Sequence, residues 1–147
     1  MASINEDDFC SEMRNNTQKI HDESDKLINL KIVAALTDVK VWSQAIADFY
    51  FVFRQIEIAL EKLKSDARLN VLHFCAEPEF RRTELFQKDL QYYMGDDWMT
   101  TAKPSEVAVN YCARIEEVSN TKPVLIIAFV NFSFIFLRLF FKSFLRY

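Results

Sequence analysis

A histidine at position 21 sits in the stretch NNTQKIHDESDKL, Asn15 to Leu27, and is one of only two histidines in the 147-residue chain. In a helix its side is shared by Arg14, Thr17, Ser24, Asp25 and Ile28. That face is mostly polar, unlike one made for a core. An imidazole that binds a metal through one nitrogen commonly donates its other N–H to a carboxylate or carbonyl. Asp25, one turn on, could accept it, and Arg14, two turns back, could pair with an anionic group on the same ligand. The same spacing equally describes an exposed histidine among acids, since one histidine is not by itself a site.

Other chemistry is poorly served. His73, in NVLHFCAEP, has Cys75 two positions on but no second pair of ligands, so it reads as a loop or packing residue and not as zinc chemistry. Glu57 and Glu61 sit four apart, yet no Glu-x-x-His pair completes a di-iron bundle. A single glycine rules out a glycine-rich phosphate loop. With two histidines far apart in sequence, a Ser or Cys nucleophile has no obvious base. The acidic runs at Glu6-Asp7-Asp8 and Glu116-Glu117 read as solvated faces.

The elements that would position His21 are helical. Half of the residues are hydrophobic, Gly occurs once and Pro three times, which favours helices joined by short loops and an all-α fold in one domain. Acids at Asn5–Asp8 suit a helix N-terminus, after which Phe9, Met13, Ile20, Leu27 and Ile28 recur at roughly helical spacing. Trp42, Ile46, Phe49, Tyr50, Phe53, Ile56 and Leu60 form a wide apolar stripe, with an N-cap at Thr37 or Asp38. A third helix is predicted from about Pro78 to Met94, with Phe86, Leu90, Tyr93 and Met94 inward and Gly95 ending it. A fourth starts near Pro104-Ser-Glu and uses Val107, Tyr111, Ile115 and Val118, and Pro123 opens a further one.

Charge and cysteines narrow the partners. The net charge is −3, and the three positive charges of residues 124–147 leave −6 on residues 1–123. An acidic body disfavours a nucleic-acid partner, because phosphate binding needs a basic surface. Cys10, Cys75 and Cys112 are widely spaced and odd in number, which argues against a disulfide framework and for a reducing, cytoplasmic location. The start, MASINEDDFC, lacks the pattern of a signal peptide. From Val124 the composition changes to an apolar stretch, Val124 to Leu137, running into a basic end in which Arg138, Lys142 and Arg146 fall four apart. Three readings of it stand open: a buried helix with an amphipathic end, a membrane-contacting end, or a non-native tail.

Several segments together resemble the heme oxygenases. MRNNTQKIHDESD, Met13 to Asp25, is similar to that family's first helix, which carries the histidine ligand of the heme iron. VWSQAIADFYFVFRQIEIALE, Val41 to Glu61, resembles its aromatic second helix. EFRRTELFQKDLQYYMG, Glu79 to Gly95, carries the family's arginine, Asp-Leu pair, aromatics and closing glycine, and YCARIEEVSNTKPVLIIA, Tyr111 to Ala128, also aligns.

The resemblance implies an all-α heme oxygenase-like domain over residues 1–128, followed by a divergent tail over 129–147. It implies oxidative cleavage of heme to biliverdin, carbon monoxide and iron, with heme as both cofactor and substrate. An NADPH-dependent cytochrome reductase would supply electrons, in the cytoplasm or at the cytosolic face of the endoplasmic reticulum, and contact of the tail with that membrane stays one of its three open readings. His21 would be the axial ligand to the heme iron, Asp25 would accept from its far nitrogen, and Arg14 would stand where the family has a lysine near a propionate.

After Ala128 the family continues with a glycine-rich, aspartate-bearing helix on the distal side of heme. Here the matching stretch, FVNFSFIFLRLFFKSF, has neither glycine nor acid. The chain is therefore expected to be truncated after the proximal half of the pocket. A non-catalytic heme-binding or helical interaction protein is the competing expectation.

Overall fold

The computed structural model describes residues 6–66, 75, 77–131 and 133. Those residues form helices and contain no strand, as the scarcity of glycine and proline predicts. Helix α1 runs Glu6–Thr37 and α2 runs Val39–Leu63. A 3-10 turn at Pro78–Phe80 precedes α3 (Thr83–Met94), then come the short α4 (Trp98–Thr101) and α5 (Glu106–Thr121). A second 3-10 turn, Pro123–Leu125, leads into helical residues 126–131. The expectations for His73 and for most of the tail lie outside the described residues, as do those for the side chains of Phe9, Met13 and Ile28. The chain forms two compact units, Met1–Trp42 and Ser43–Tyr147.

The first unit is essentially α1, which continues past the segment expected from sequence. No proline or glycine occurs before Pro78 to stop it. Asp38 alone separates α1 from α2, and its Oδ1 accepts the Lys40 N–H at 2.8 Å, the N-cap bond expected there.

The second unit is organised by α2. Its stripe is buried at Ile46, Tyr50, Phe53, Ile56 and Leu60, recurring every three or four residues. Towards the N-terminal half, aromatic rings carry the packing. Tyr50 meets Trp98 edge-on at 5.2 Å, and Phe53 and Phe49 meet Phe86 of α3 at 5.4 and 6.0 Å. Towards the C-terminal half, Ile56, Leu60 and Leu63 share a core with Ile115 and Val118 of α5 and with Ile126 and Val130 beyond it. Phe53 is 2% exposed, and truncating such a ring typically costs about 3–5 kcal/mol.

Polar atoms fix where the other helices begin. Glu57 Oε1 accepts the N–H groups of Arg82 at 2.7 Å and Thr83 at 3.0 Å, so a carboxylate from α2 satisfies the start of α3. This moves the start of that helix from the expected Pro78 to Thr83, because Pro78 opens a separate 3-10 turn. Asp48 Oδ1 accepts the Ser105 N–H at 2.7 Å, and the Ser105 hydroxyl in turn accepts the Ala108 N–H at 3.2 Å, capping α5. Gly95 closes α3 with φ of +87°, a conformation that L side chains rarely adopt.

Two side chains expected inside are not. Val107 is 78% exposed and Tyr93 38% exposed. In the first turn of α5 it is Ala108, next to Val107, that turns inward, and Tyr93 lies in the last turn of α3, beyond Leu90.

Two predictions follow from the carboxylates. Glu57→Ala should lower unfolding free energy by about 1–2 kcal/mol, the size of a lost cap. Glu61→Ala should cost under about 1 kcal/mol, because its 3.2 Å pair with Arg81 is exposed. Chemical denaturation of both variants checks the difference. Asp89 is half-buried, and burial raises its carboxyl above the ordinary 3.8. The stability it contributes is therefore full below about 3.8 and is lost as pH rises through the folded-state value. Asp89→Asn should accordingly raise the urea midpoint at pH 7, with the gap closing towards pH 4, roughly the unfolded value of Asp.

Candidate functional site

The three residues singled out from sequence all lie on α1, and all three are exposed. Because α1 is unbroken, Arg14, His21 and Asp25 share one side of it, and Thr17 and Ser24 on that side are half-buried. On one flank of His21 stand the exposed apolar side chains Ile20 and Leu27. On the other, Gln18 donates from Nε2 to Asp22 Oδ1 at 2.8 Å. That bond ties up Asp22, the nearest acid in sequence, and leaves Asp25 as the acid on the histidine's own side. Among the described residues, no hydrogen bond or ion pair engages the His21 imidazole or the Asp25 carboxylate.

Chemically, this surface offers one nitrogen ligand, one carboxylate a turn away, one cation two turns back and an apolar border. Among the described residues no group of three or more His, Cys, Asp or Glu side chains is arranged to hold a metal ion. A metal taken up here would need most of its ligands from elsewhere, as a metal already held in a macrocycle does.

A second feature belongs to the other unit. A cavity of about 230 Å³ lies beside α2 and α5, lined by Asp48, Phe49, Val52, Val107, Tyr111 and Ser133. Sequence reading did not find it, because its walls come from segments up to 85 positions apart, from Asp48 to Ser133. Burial raises the Tyr111 phenol above its ordinary value. Burial, and then the charge of Asp48, raise the Cys112 thiol, which donates to the Phe51 carbonyl at 3.5 Å. Both effects favour the protonated thiol over the thiolate. Glu57 and Glu61, noted in the sequence only for their spacing, serve α3 and Arg81.

Among the described residues, no helix is long and apolar enough to cross a membrane.

Comparison with known proteins gives this arrangement a relative. A family model for heme oxygenase matches residues 7–134. The heme oxygenase of Rhodella violacea is 30% identical over 126 residues, covering 85% of this chain and 52% of the relative. That of Porphyra purpurea is 30% identical over 121 residues, 82% of this chain and 50% of the relative. The crystal structure of heme oxygenase-1 from the cyanobacterium Synechocystis, in complex with heme, superposes with a TM-score of 0.66 at 26% identity. It covers 80% of this chain and 52% of that one. A heme-free heme oxygenase 2 from Chlamydomonas reinhardtii shares the fold with a TM-score of 0.70 at 24% identity, covering 90% of this chain and 68% of that one. The chain spans about half the length of the curated relatives it matches. A match running from the first turn of α1 to the end of the described helices makes this chain a member of the heme oxygenase family.

Proposed function

We propose that this chain holds heme on the His21 side of α1 and acts in its oxidative cleavage to biliverdin, carbon monoxide and iron. The observation that carries the reading is His21 itself, exposed midway along an unbroken helix, with no described neighbour competing for its imidazole. The heme complex of the Synechocystis relative supports it.

The residues present fit the group. A neutral imidazole nitrogen of His21 is an axial ligand for heme iron, and Ile20 and Leu27 offer apolar contact to a flat macrocycle. Asp25 would accept the other imidazole N–H, fixing the ring and raising its basicity. Arg14 would pair with a propionate, and its planar guanidinium permits a two-pronged bond that a lysine would not make. Heme bound there would supply the iron that activates oxygen, and would itself be the substrate. Electrons would come from an NADPH-dependent cytochrome reductase, met at a cytosol-facing surface.

A second reading, heme binding without turnover, is favoured by one specific observation. Residues 129–144 contain no glycine and no acid, and the sole glycine of the chain is Gly95. Bulky side chains there would hinder close approach of backbone to a ligand.

Purified chain mixed with hemin should give a Soret band that is lost in His21→Ala, and Arg14→Ala should weaken binding by a few-fold at most, as for an exposed charge. An unchanged band in His21→Ala removes His21 as the ligand. Biliverdin produced by the loaded chain with NADPH and a reductase distinguishes cleavage from binding alone.

A further inference from the structure

The helical residues after Pro123 keep one face inward as far as Ser133. Ile126, Val130 and Ser133 are 0%, 3% and 7% exposed, a spacing of four and then three residues. Ala128 and Asn131, on the other side, are exposed. Ile126 and Val130 share the core with Ile115 and Val118, and Phe129 meets Tyr111 at 5.5 Å. Ser133 lines the cavity with Val107 and Ala108. As this run advances its partners on α5 step back, so it travels antiparallel to α5, towards that helix's start.

The sequence beyond Ser133 keeps the same phase. In a continuing helix Leu137, Phe140 and Phe144 fall on the face of Ile126, Val130 and Ser133. Arg138, Lys142 and Arg146 fall with Ala128 and Asn131, as does Ile135. Apolar side chains thus extend the buried face, and every charged side chain of the tail extends the exposed one.

The cavity of about 230 Å³ lies at Ser133, the smallest side chain on that buried face, and its walls are almost wholly apolar. Phe49 and Val52 of α2 line it, and Val107 lines it while 78% exposed, so it meets solvent there. Helical side chains lean towards the preceding turn, so residues one turn beyond Ser133 reach back over it. Those residues are Phe136 and Leu137. A benzene ring occupies an apolar cavity of about 150 Å³, so one Phe ring fits here. We propose that the tail segment Phe134–Phe144 is the occupant of this cavity. It prolongs the helix in phase, seats Phe136 and Leu137 between α2 and α5, and turns Arg138 and Lys142 to solvent. Of the three readings open for the tail, this makes it a strap that closes the chain's own cavity.

In the full chain, p-benzoylphenylalanine placed at the exposed position of Val107 is irradiated, and its adducts are mapped by mass spectrometry. The probe should insert within residues 134–144 of its own chain. With isotope-labelled and unlabelled chains mixed, adducts should join one kind of label only. Anionic vesicles of phosphatidylserine and phosphatidylcholine should leave the yield unchanged. Leu137→Asp should cut that yield several-fold and lower the urea midpoint, because a charge would enter an apolar site. Lys142→Asp, on the opposite face, should change neither. The proposal is overturned by adducts that miss the tail, by mixed-label adducts, by a yield that falls as vesicles are added, or by equal responses of the two variants.

Discussion

Asp48 and Glu57 each reach from α2 to the opening of another helix, and the second unit is arranged around those two reaches. They stand nine positions apart, which places them on opposite flanks of α2 and roughly 13.5 Å apart along its axis. Between them runs the buried stripe of Tyr50, Phe53 and Ile56. One carboxylate takes the N–H groups of Arg82 and Thr83, the other that of Ser105. A helix N-terminus carries unsatisfied donors and partial positive charge, so an acid held there serves both needs at once. Apolar packing supplies most of the attraction between α2 and its neighbours, but it is tolerant of sliding. The carboxylate contacts are directional, and they fix which turn of α2 each neighbour starts from.

The same contact at Asp48 shapes the cavity. Asp48 anchors the start of α5 through Ser105, and the first turn of that helix then buries Ala108 and leaves Val107 in solvent at the cavity. Beyond that turn α5 enters the core at Ile115 and Val118. The His21 surface obeys a different logic. It lies on a helix whose described exposed side chains include Ile20, Leu27 and Leu30, and Arg14, His21 and Asp25 all belong to that one element.

That difference governs how much could be read from residues in order. The stripe of α2, the cap at Asp38, the glycine end of α3 and the serine start of α5 are all local patterns, and each stands where its pattern indicated. The shared face of Arg14, His21 and Asp25 is local too, since helical spacing alone sets it. Where a pattern was locally ambiguous the reading slipped. Pro78 suits both the first turn of a helix and a separate turn, and Val107 fits an inward position by type alone. The four-residue α4 is too short to show any period, yet its Trp98 fills the space over Tyr50.

By itself, then, the sequence determined the helical class, most helix positions, the composition of the His21 face and the membership of a family. It could do so because backbone hydrogen bonding and side-chain periodicity act over three or four residues. Only the tertiary structure decided the partners of Asp48 and Glu57, whose acceptors find donors 57 and 25 positions away. It also decided that Asp48, Tyr111 and Ser133 border one cavity. A carboxylate is equally at home in water and on a distant helix start. Which of the two it meets depends on how the apolar faces of whole helices come together, and no run of neighbouring residues encodes that.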